Sequence, residues 1–141
     1  MNEIHYAHTA EAIAACWEPV QALRPHLEKE AYVKQVLDMQ REGYQLIYIA
    51  DAGKPVAIAG FREEHKLVSG KTIYIDDLST LPSHRGLGLG GRLLDFIHAL
   101  AKEKGKAGVY LDSGHQRHDA HRLYLNRGYV ISAHHFANRT L

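Results

Sequence analysis

Four glycines fall within the six residues from Gly86 to Gly91. They follow a stretch rich in isoleucine and threonine that predicts a strand over residues 72–81, and they precede an apolar pattern of helical spacing that begins at Leu93. Closely spaced glycines let the backbone approach a ligand without interference from Cβ atoms, and a helix N-terminus carries a partial positive charge. The sequence therefore predicts a strand–loop–helix unit whose loop holds a phosphate-bearing molecule.

The order of hydrophobic patterns predicts an α+β domain with α/β/α layers around one mixed, mostly antiparallel sheet. Helical patterns cover residues 10–17, with an interruption at Pro19, the stretch between Pro25 and Gly43, and residues 92–105 and 119–127. Strand patterns cover residues 4–6, 44–50, 55–62, 72–81, 107–112 and 129–136. A strand–helix–strand crossover joins parallel strands, so the parallel part is expected between Thr72 and Asp112. A chain of 141 residues is expected to form a single domain over 1–141.

Composition excludes several classes of partner. The formal net charge is +1, which gives no reason to expect nucleic acid or a membrane surface as a partner. Cys16 is the single cysteine, so neither an intramolecular disulfide nor a multi-cysteine zinc site can form. The first residues lack the basic start and apolar centre of a signal peptide, and no apolar run reaches membrane-spanning length. A cytoplasmic protein is expected.

Two common phosphate loops fit the glycine run poorly. A Walker A loop needs Lys followed by Ser or Thr after its last glycine, whereas Arg92 and Leu93 follow Gly91. The dinucleotide pattern G-x-G-x-x-G is satisfied, and Asp112 ends the next predicted strand. That fold, however, places its glycines directly after an apolar strand, and here residues 82–85 intervene. The dinucleotide interpretation predicts affinity for NAD and none for coenzyme A.

A third interpretation rests on two motifs. Residues 85–90, Arg-Gly-Leu-Gly-Leu-Gly, match the Arg/Gln-x-x-Gly-x-Gly/Ala signature of the Gcn5-related N-acetyltransferase (GNAT) superfamily. Residues 120–129 resemble its Ala-x-x-Phe-Tyr-x-x-x-Gly-Phe segment, and the order of elements resembles that fold over essentially the whole chain. The resemblance implies a GNAT-like acyl-CoA N-acyltransferase fold with a splayed parallel pair of strands. It also implies acetyl-CoA as cosubstrate and no metal.

The resemblance also implies where the cofactor lies. Main-chain groups of Leu78, Ser79 and Thr80 would pair with its pantetheine arm. The pyrophosphate would be held by the loop and the first residues of the following helix, which are Arg85, Gly86, Leu87, Gly88, Leu89, Gly90, Gly91 and Arg92. Arg117 stands where the family often has an asparagine that contacts the cofactor, and it would reach a phosphate of coenzyme A or nothing.

By the same resemblance, Tyr124 is the general acid that returns a proton to the departing thiolate. A model tyrosine titrates near ~10 and a thiol near ~8.5, so the phenol is protonated at neutral pH and available to donate. Spacing alone favours a different role, in which Tyr124 packs its ring against the sheet. The match to the tyrosine segment favours the catalytic role.

Amine acetylation also needs a group that takes a proton from the substrate ammonium. Asp76 and Asp77 are the candidates, because two acids are unusual in a strand rich in isoleucine and tyrosine. On a regular strand only one of them would face the acceptor, unless a bulge intervenes. The alternative is that they are edge-strand charges that deter aggregation.

The acidic strand is similar to that of the diamine (spermidine/spermine) acetyltransferases. This similarity implies that Asp76 is the proton acceptor and Asp77 a contact for the substrate cation, with Glu63 and Glu64 extending an acidic acceptor site. The expected function is therefore transfer of an acetyl group from acetyl-CoA to a small-molecule primary amine, polyamine-like or an amino-group metabolite. A catalytically silent CoA-binding domain and a peptide or protein N-acetyltransferase remain alternatives.

The histidines carry weaker signals. Residues 115, 118 and 121 are histidines at a spacing that would bring successive pairs together on a helix, but no carboxylate partner accompanies them, and no metal site is expected. His134 and His135 lie in the last predicted strand, where they are expected to be surface residues or contacts of a homodimer. Substrate contact is the functional alternative for the histidines.

Overall fold

The computed structural model describes residues 3–141, and these form two compact units, one up to Tyr110 and one from Leu111 to Leu141. The strands are β1 (Ile4–Tyr6), β2 (Gln45–Asp51), β3 (Lys54–Lys66), β4 (Gly70–Thr80) and β5 (Val109–Leu111). The α-helices are α1 (Ala10–Ala15), α2 (Trp17–Leu23), α3 (Lys29–Arg41), α4 (Leu89–Glu103) and α5 (His118–Asn126). A short 3₁₀ turn, Pro82–His84, joins β4 to the glycine loop.

The sheet has the order β1-β2-β3-β4-β5. The first three pairings are antiparallel. The approach to β5 runs in the same direction as β4, because the N–H of Ala107 donates to the carbonyl of Lys71 and the N–H of Ile73 donates to the carbonyl of Gly108. The prediction of a mixed, mostly antiparallel sheet with one parallel pair is confirmed.

Helices cover both faces of this sheet within the first unit. On one face, Tyr44, Leu46 and Ile58 pack with buried residues of α1–α3, namely Ile13, Cys16, Val20, Tyr32 and Val36. The Tyr32 hydroxyl donates a 2.5 Å hydrogen bond to the carbonyl of Ile13 and so ties α3 to α1. Helix α4 contacts β3 and β4, and its Leu93, Leu94 and Ile97 are fully buried. Because alternate strand residues point to opposite faces, β2 and β3 are buried on both sides.

Two elements differ from the sequence-based expectation. The first predicted helix divides at Cys16, three residues before Pro19, because Pro19 occupies the third position of α2. An N–H in the first turn of a helix has no intrahelical acceptor, so proline is tolerated there. The second difference is at the C-terminal end, where residues 129–136 form no strand and Val130, Ile131 and Phe136 are exposed. A pattern of β-branched and aromatic residues forms a strand only where a neighbouring strand completes its hydrogen bonds.

Within the described residues, no helix is both long and apolar enough to cross a membrane.

Candidate active site

A β-bulge lies at the two acidic residues of β4. Gly60 pairs with Asp77 and Phe61 pairs with Ile75, so the register shifts and Asp76 has no residue opposite it. A bulge releases the side chains from strict alternation. The contacts described next show that both carboxylates join one group of side chains, which a regular strand would not allow.

Asp76 is held by a bidentate ion pair. Arg62 on β3 donates to its carboxylate from Nε at 3.0 Å and from Nη2 at 2.7 Å. The guanidinium also lies 5.5 Å from the centre of the Tyr44 ring. Burial raises the pKa of Asp76, and the neighbouring charges of Asp77 and Glu64 add to this, while Arg62 opposes the rise. Asp76 is therefore an anchored carboxylate with more affinity for a proton than an ordinary aspartate.

Asp77 uses both of its oxygens within the same group. The Tyr44 hydroxyl donates to Oδ2 at 2.7 Å, and Arg24 donates from Nε to Oδ1 at 3.0 Å. Arg24 directly follows the last residue of α2, and its Nη2 also donates to the main-chain carbonyl of Asp76 at 2.9 Å. We call these five residues, Arg24, Tyr44, Arg62, Asp76 and Asp77, the β4 ion-pair network.

Sequence reasoning found the two acids of this network and missed its other members. A signal for Arg62 was available, because the antiparallel hairpin of β3 and β4 brings Arg62 opposite Tyr74, two residues from Asp76. No sequence signal identifies Arg24, which lies 53 residues from Asp77.

Glu63 and Glu64 were predicted to extend the acidic site, and the structure places them with lysines. Glu63 accepts a 3.2 Å hydrogen bond from Lys104 and forms an ion pair with Lys106. The hydrogen bonds from Lys106 and Lys104 lower the pKa of Glu63. Glu63 lines a cavity of about 270 Å³ together with Phe61 and Leu100, residues that belong to β3 and α4. Glu64 pairs with Lys66 at 3.2 Å.

The predicted cofactor residues of β4 lie at the end of that strand, shortly before the glycine loop. Leu78, Ser79 and Thr80 pair with residues 57–59 of β3 along one edge. The loop then follows the 3₁₀ turn, and Gly86 and Gly88 adopt left-handed conformations with φ of +81° and +78°. A Cβ atom at either glycine would meet nothing within 4 Å, so the backbone conformation is what requires glycine there.

The loop ends at the N-terminus of α4. Leu89, Gly90 and Gly91 form its first turn, in which the N–H groups have no intrahelical acceptor. Arg85, Leu87 and Arg92 are exposed beside them. Free N–H donors, left-handed glycines and two exposed guanidinium groups fit a pyrophosphate group.

Two hydrogen bonds made by His84 support the start of this loop. His84 Nε2 lies 2.8 Å from Oδ2 of Asp51, and its Nδ1 lies 2.8 Å from the hydroxyl oxygen of Ser83. A carboxylate only accepts, so Nε2 carries the hydrogen and, in the neutral ring, the Ser83 hydroxyl donates to Nδ1. Asp51 is the last residue of β2, so its hydrogen bond with His84 connects the start of the glycine loop to the β2–β3 turn.

Tyr124 lies on α5 in the second unit, and Arg117 precedes the first residue of that helix. Tyr124 is half-buried, and its ring centre lies 5.8 Å from that of Tyr129. Burial raises the pKa of the Tyr124 phenol, and the charge of Arg117 opposes the rise. The phenol is therefore protonated at neutral pH and can donate a proton.

Two histidines of the second unit, His118 and His121, contact each other and the main chain. His121 Nε2 lies 2.8 Å from the carbonyl oxygen of Gly114, and the ring centre of His121 is 6.0 Å from that of His118. Among residues 3–141, no three His, Cys, Asp or Glu side chains lie together in a way that could hold a metal ion.

Comparison with known proteins gives a consistent result. A sequence profile described as the acetyltransferase (GNAT) family matches residues 8–129. The chain is 31% identical over 128 residues to a Bacillus subtilis protein named uncharacterized N-acetyltransferase YhdJ, which covers 89% of this chain and 90% of that protein.

Two solved structures share the fold. A ribosomal-protein-alanine N-acetyltransferase from Brucella melitensis biovar Abortus superposes with a TM-score of 0.82 at 17% identity, over 97% of this chain and 99% of that one. The structure of AAC(6')-Iy in complex with the bisubstrate analog CoA-S-monomethyl-acetylneamine superposes with a TM-score of 0.83 at 15% identity, over 99% of this chain and 97% of that one.

Proposed function

Because the chain belongs to the GNAT acetyltransferase family, whose members transfer acetyl groups from acetyl-CoA, we propose that it acetylates a primary amine of a small molecule by direct attack in a ternary complex. The observation that carries the proposal is the bulge at Asp76. It sets a partly buried carboxylate of raised pKa on the strand that leads into the glycine loop.

In this proposal two side chains of the protein, Asp76 and Tyr124, carry out the two proton transfers of the reaction. Asp76 accepts a proton from the substrate ammonium, directly or through a water molecule, which frees the nitrogen lone pair for attack on the thioester carbonyl. The new C–N bond forms as the C–S bond breaks, and Tyr124 donates its phenolic proton to the departing sulfur. The nitrogen then loses its second proton, which returns through solvent to the Tyr124 phenolate, and Asp76 passes the first proton to water. The products are the acetamide and free coenzyme A.

The remaining predicted residues bind and orient the cosubstrate in this proposal. The main chain of Leu78, Ser79 and Thr80 aligns the pantetheine arm, and the glycine loop with the first turn of α4 holds the pyrophosphate. Arg117 contributes positive charge directly before α5, where it also affects the pKa of Tyr124. No metal is assigned a role.

The acceptor is either polyamine-like or an amino-group metabolite. Both classes present an ammonium that must lose a proton, which is the demand that Asp76 meets. Asp77, predicted to contact the substrate cation, already contacts the cationic Arg24. A second amine of a polyamine would therefore have to share Asp77 with Arg24 or displace it.

The test begins with calorimetric titration of the purified protein with acetyl-CoA, with NAD as the paired control. Binding of acetyl-CoA alone is expected, followed by release of free thiol when amines are added. Binding of NAD alone would return the glycine loop to the dinucleotide interpretation. Binding of acetyl-CoA without turnover on any amine or peptide would identify a silent CoA-binding domain.

A further inference from the structure

We infer that the acceptor carries a carboxylate near its amine, as an amino acid does, and that Arg24 with Arg62 recognises this carboxylate. The inference rests on the proposed function and specifies its substrate class. It follows from how the β4 ion-pair network distributes charge and exposure.

The charges of the network cancel. Arg24 pairs with Asp77 and Arg62 pairs with Asp76, so two guanidinium groups balance two carboxylates. Glu64 is likewise paired, with Lys66. A site of zero net charge does not concentrate a polycation by long-range attraction. Without their arginine partners, the two adjacent aspartates would suggest a negatively charged site that attracts polycations.

Arg24 is the most solvent-exposed member of the two ion pairs. Its side chain is 43% exposed while that of Asp77 is 19% exposed. Arg62 and Asp76 are about equally exposed, at 26% and 21%. Arg24 is therefore the charged group of these pairs that is most accessible to a ligand.

Arg24 and Arg62 also keep N–H donors that are available to a ligand. Asp76 and Asp77 each have both oxygens engaged by protein donors. Each arginine uses Nε and Nη2 in these contacts, and among residues 3–141 no hydrogen bond involves the Nη1 group of either. A guanidinium has five N–H donors, and its planar edge matches the two oxygens of a carboxylate. The vacant edges thus suit a carboxylate, while Asp77, whose oxygens are taken by Tyr44 and Arg24, has little left to offer a second ammonium.

The two halves of an amino acid then have separate partners. The carboxylate binds Arg24, assisted by Arg62, and the ammonium lies toward Asp76, which takes its proton. The same arginines that neutralise the aspartates also orient the substrate, so Arg24 is assigned as a residue that determines specificity.

The test compares each standard amino acid with its carboxamide, and spermidine serves as the polycation. The carboxamide lacks the negative charge and has a less basic amine, so the quantity of interest is the change in the kcat/KM ratio of acid to amide between the natural protein and a variant. Arg24→Gln should lower this ratio about tenfold or more, the value for a lost charge-assisted pair. Arg24→Lys should restore part of it.

Because the readout is a ratio within each variant, a general loss of folding or cofactor binding cancels. Arg41→Gln is the matched control, since Arg41 lies at the exposed end of α3 and pairs only with Asp38 among the described residues, and its ratio should equal that of the natural protein. An unchanged ratio in Arg24→Gln would overturn the inference. Acetylation of spermidine but of no amino acid would overturn it while the proposed function stands. Acetyl-CoA binding with no amine acetylated would remove both.

Discussion

The hydroxyl group of Tyr44 donates a 2.7 Å hydrogen bond to Oδ2 of Asp77, from the residue before β2 to the bulged stretch of β4. Burial raises the pKa of Tyr44 well above its ordinary value of 10.0, and the negative charge of Asp77 acts in the same direction. The phenol is consequently a permanent donor, and it couples the core beneath α1–α3 to the candidate site.

Tyr44→Phe should therefore cost stability as well as activity. The substitution keeps the ring but leaves Oδ2 of Asp77 without this donor. The Asp77 side chain is only 19% exposed, so water replaces the donor poorly. A hydrogen bond to a charged group contributes about 1.5–3 kcal/mol, so urea unfolding should show a loss of that order. Tyr110→Phe is the control, because Tyr110 is 45% exposed, and it should change the free energy of unfolding by less than about 0.5 kcal/mol. Equal values for the two variants would contradict the role given to Tyr44.

Gly60 is required by the same tyrosine. A Cβ atom at Gly60 would lie 1.7 Å from the Tyr44 hydroxyl oxygen and 2.4 Å from its ring carbon Cζ. Tyr44 is 4% exposed, and its hydroxyl is hydrogen-bonded to Asp77. Gly60→Ala should destabilise the protein by about 1–3 kcal/mol or more through overpacking and should displace Tyr44 from Asp77.

Gly114→Ala provides the comparison for this substitution in denaturant unfolding. Its added Cβ would meet only the end of the flexible Gln116 side chain, at 2.6 Å. Little change in unfolding free energy is expected there. A Gly60→Ala protein as stable as the Gly114→Ala protein would show that Tyr44 yields easily.

The local features of the site were predictable from sequence, and its long-range pairings were not. The strand, the glycine loop and the helix that starts at Leu89 follow one another along the chain, and each depends on the conformational preferences of its own residues. The bulge at Asp76 depends on the pairing register between β3 and β4, and the sequence of neither strand specifies that register alone. Arg24 reaches Asp77 because α2 packs on the sheet, a tertiary contact with no sequence period.

The same distinction explains the predicted strand at residues 129–136. Its β-branched and aromatic residues favour a strand, but a strand needs a partner with a free edge, and the pattern carries no information about one. Single-sequence reasoning therefore gave a strand where the described residues have an irregular, exposed segment.

If Asp76 is the proton acceptor, the pH profile of kcat should have an acid limb set by it. Desolvation raises the pKa of Asp76 above its ordinary value of 3.8, so the rate should fall at a higher pH than an ordinary aspartate would give, as the carboxylate becomes protonated and can no longer accept. Asp76→Asn should remove this limb and lower kcat about 10²–10⁴-fold. Asp77→Asn should keep the limb, and an exchange of these two outcomes would assign the proton transfer to Asp77.

Tyr124→Phe should lower turnover without weakening the binding of acetyl-CoA. The phenolic proton is used only as the C–S bond breaks, so its loss should reduce kcat about 10²–10⁴-fold and leave the Kd from calorimetry unchanged. Burial raises the pKa of Tyr124 above 10.0, so the natural enzyme should lose this donor only in strongly alkaline solution. Tyr129→Phe keeps the neighbouring ring and serves as control. Full turnover in Tyr124→Phe would limit Tyr124 to packing.

The pair formed by His84 and Asp51 should act as one unit in cofactor binding. Their 2.8 Å contact fixes the turn directly before Arg85, so either His84→Ala or Asp51→Ala should let the glycine loop move and should raise the Kd for acetyl-CoA about threefold to tenfold. The double variant should bind no more weakly than the weaker single variant, because the second change removes nothing that the first has left. Lys54→Ala alters the same β2–β3 turn, and the only ion pair it removes among residues 3–141 is that with Glu18, so calorimetry should give it the natural Kd. Additive effects of His84→Ala and Asp51→Ala would mean that the two residues support the loop independently, and an unchanged Kd in both would mean that the glycines hold their conformation unaided.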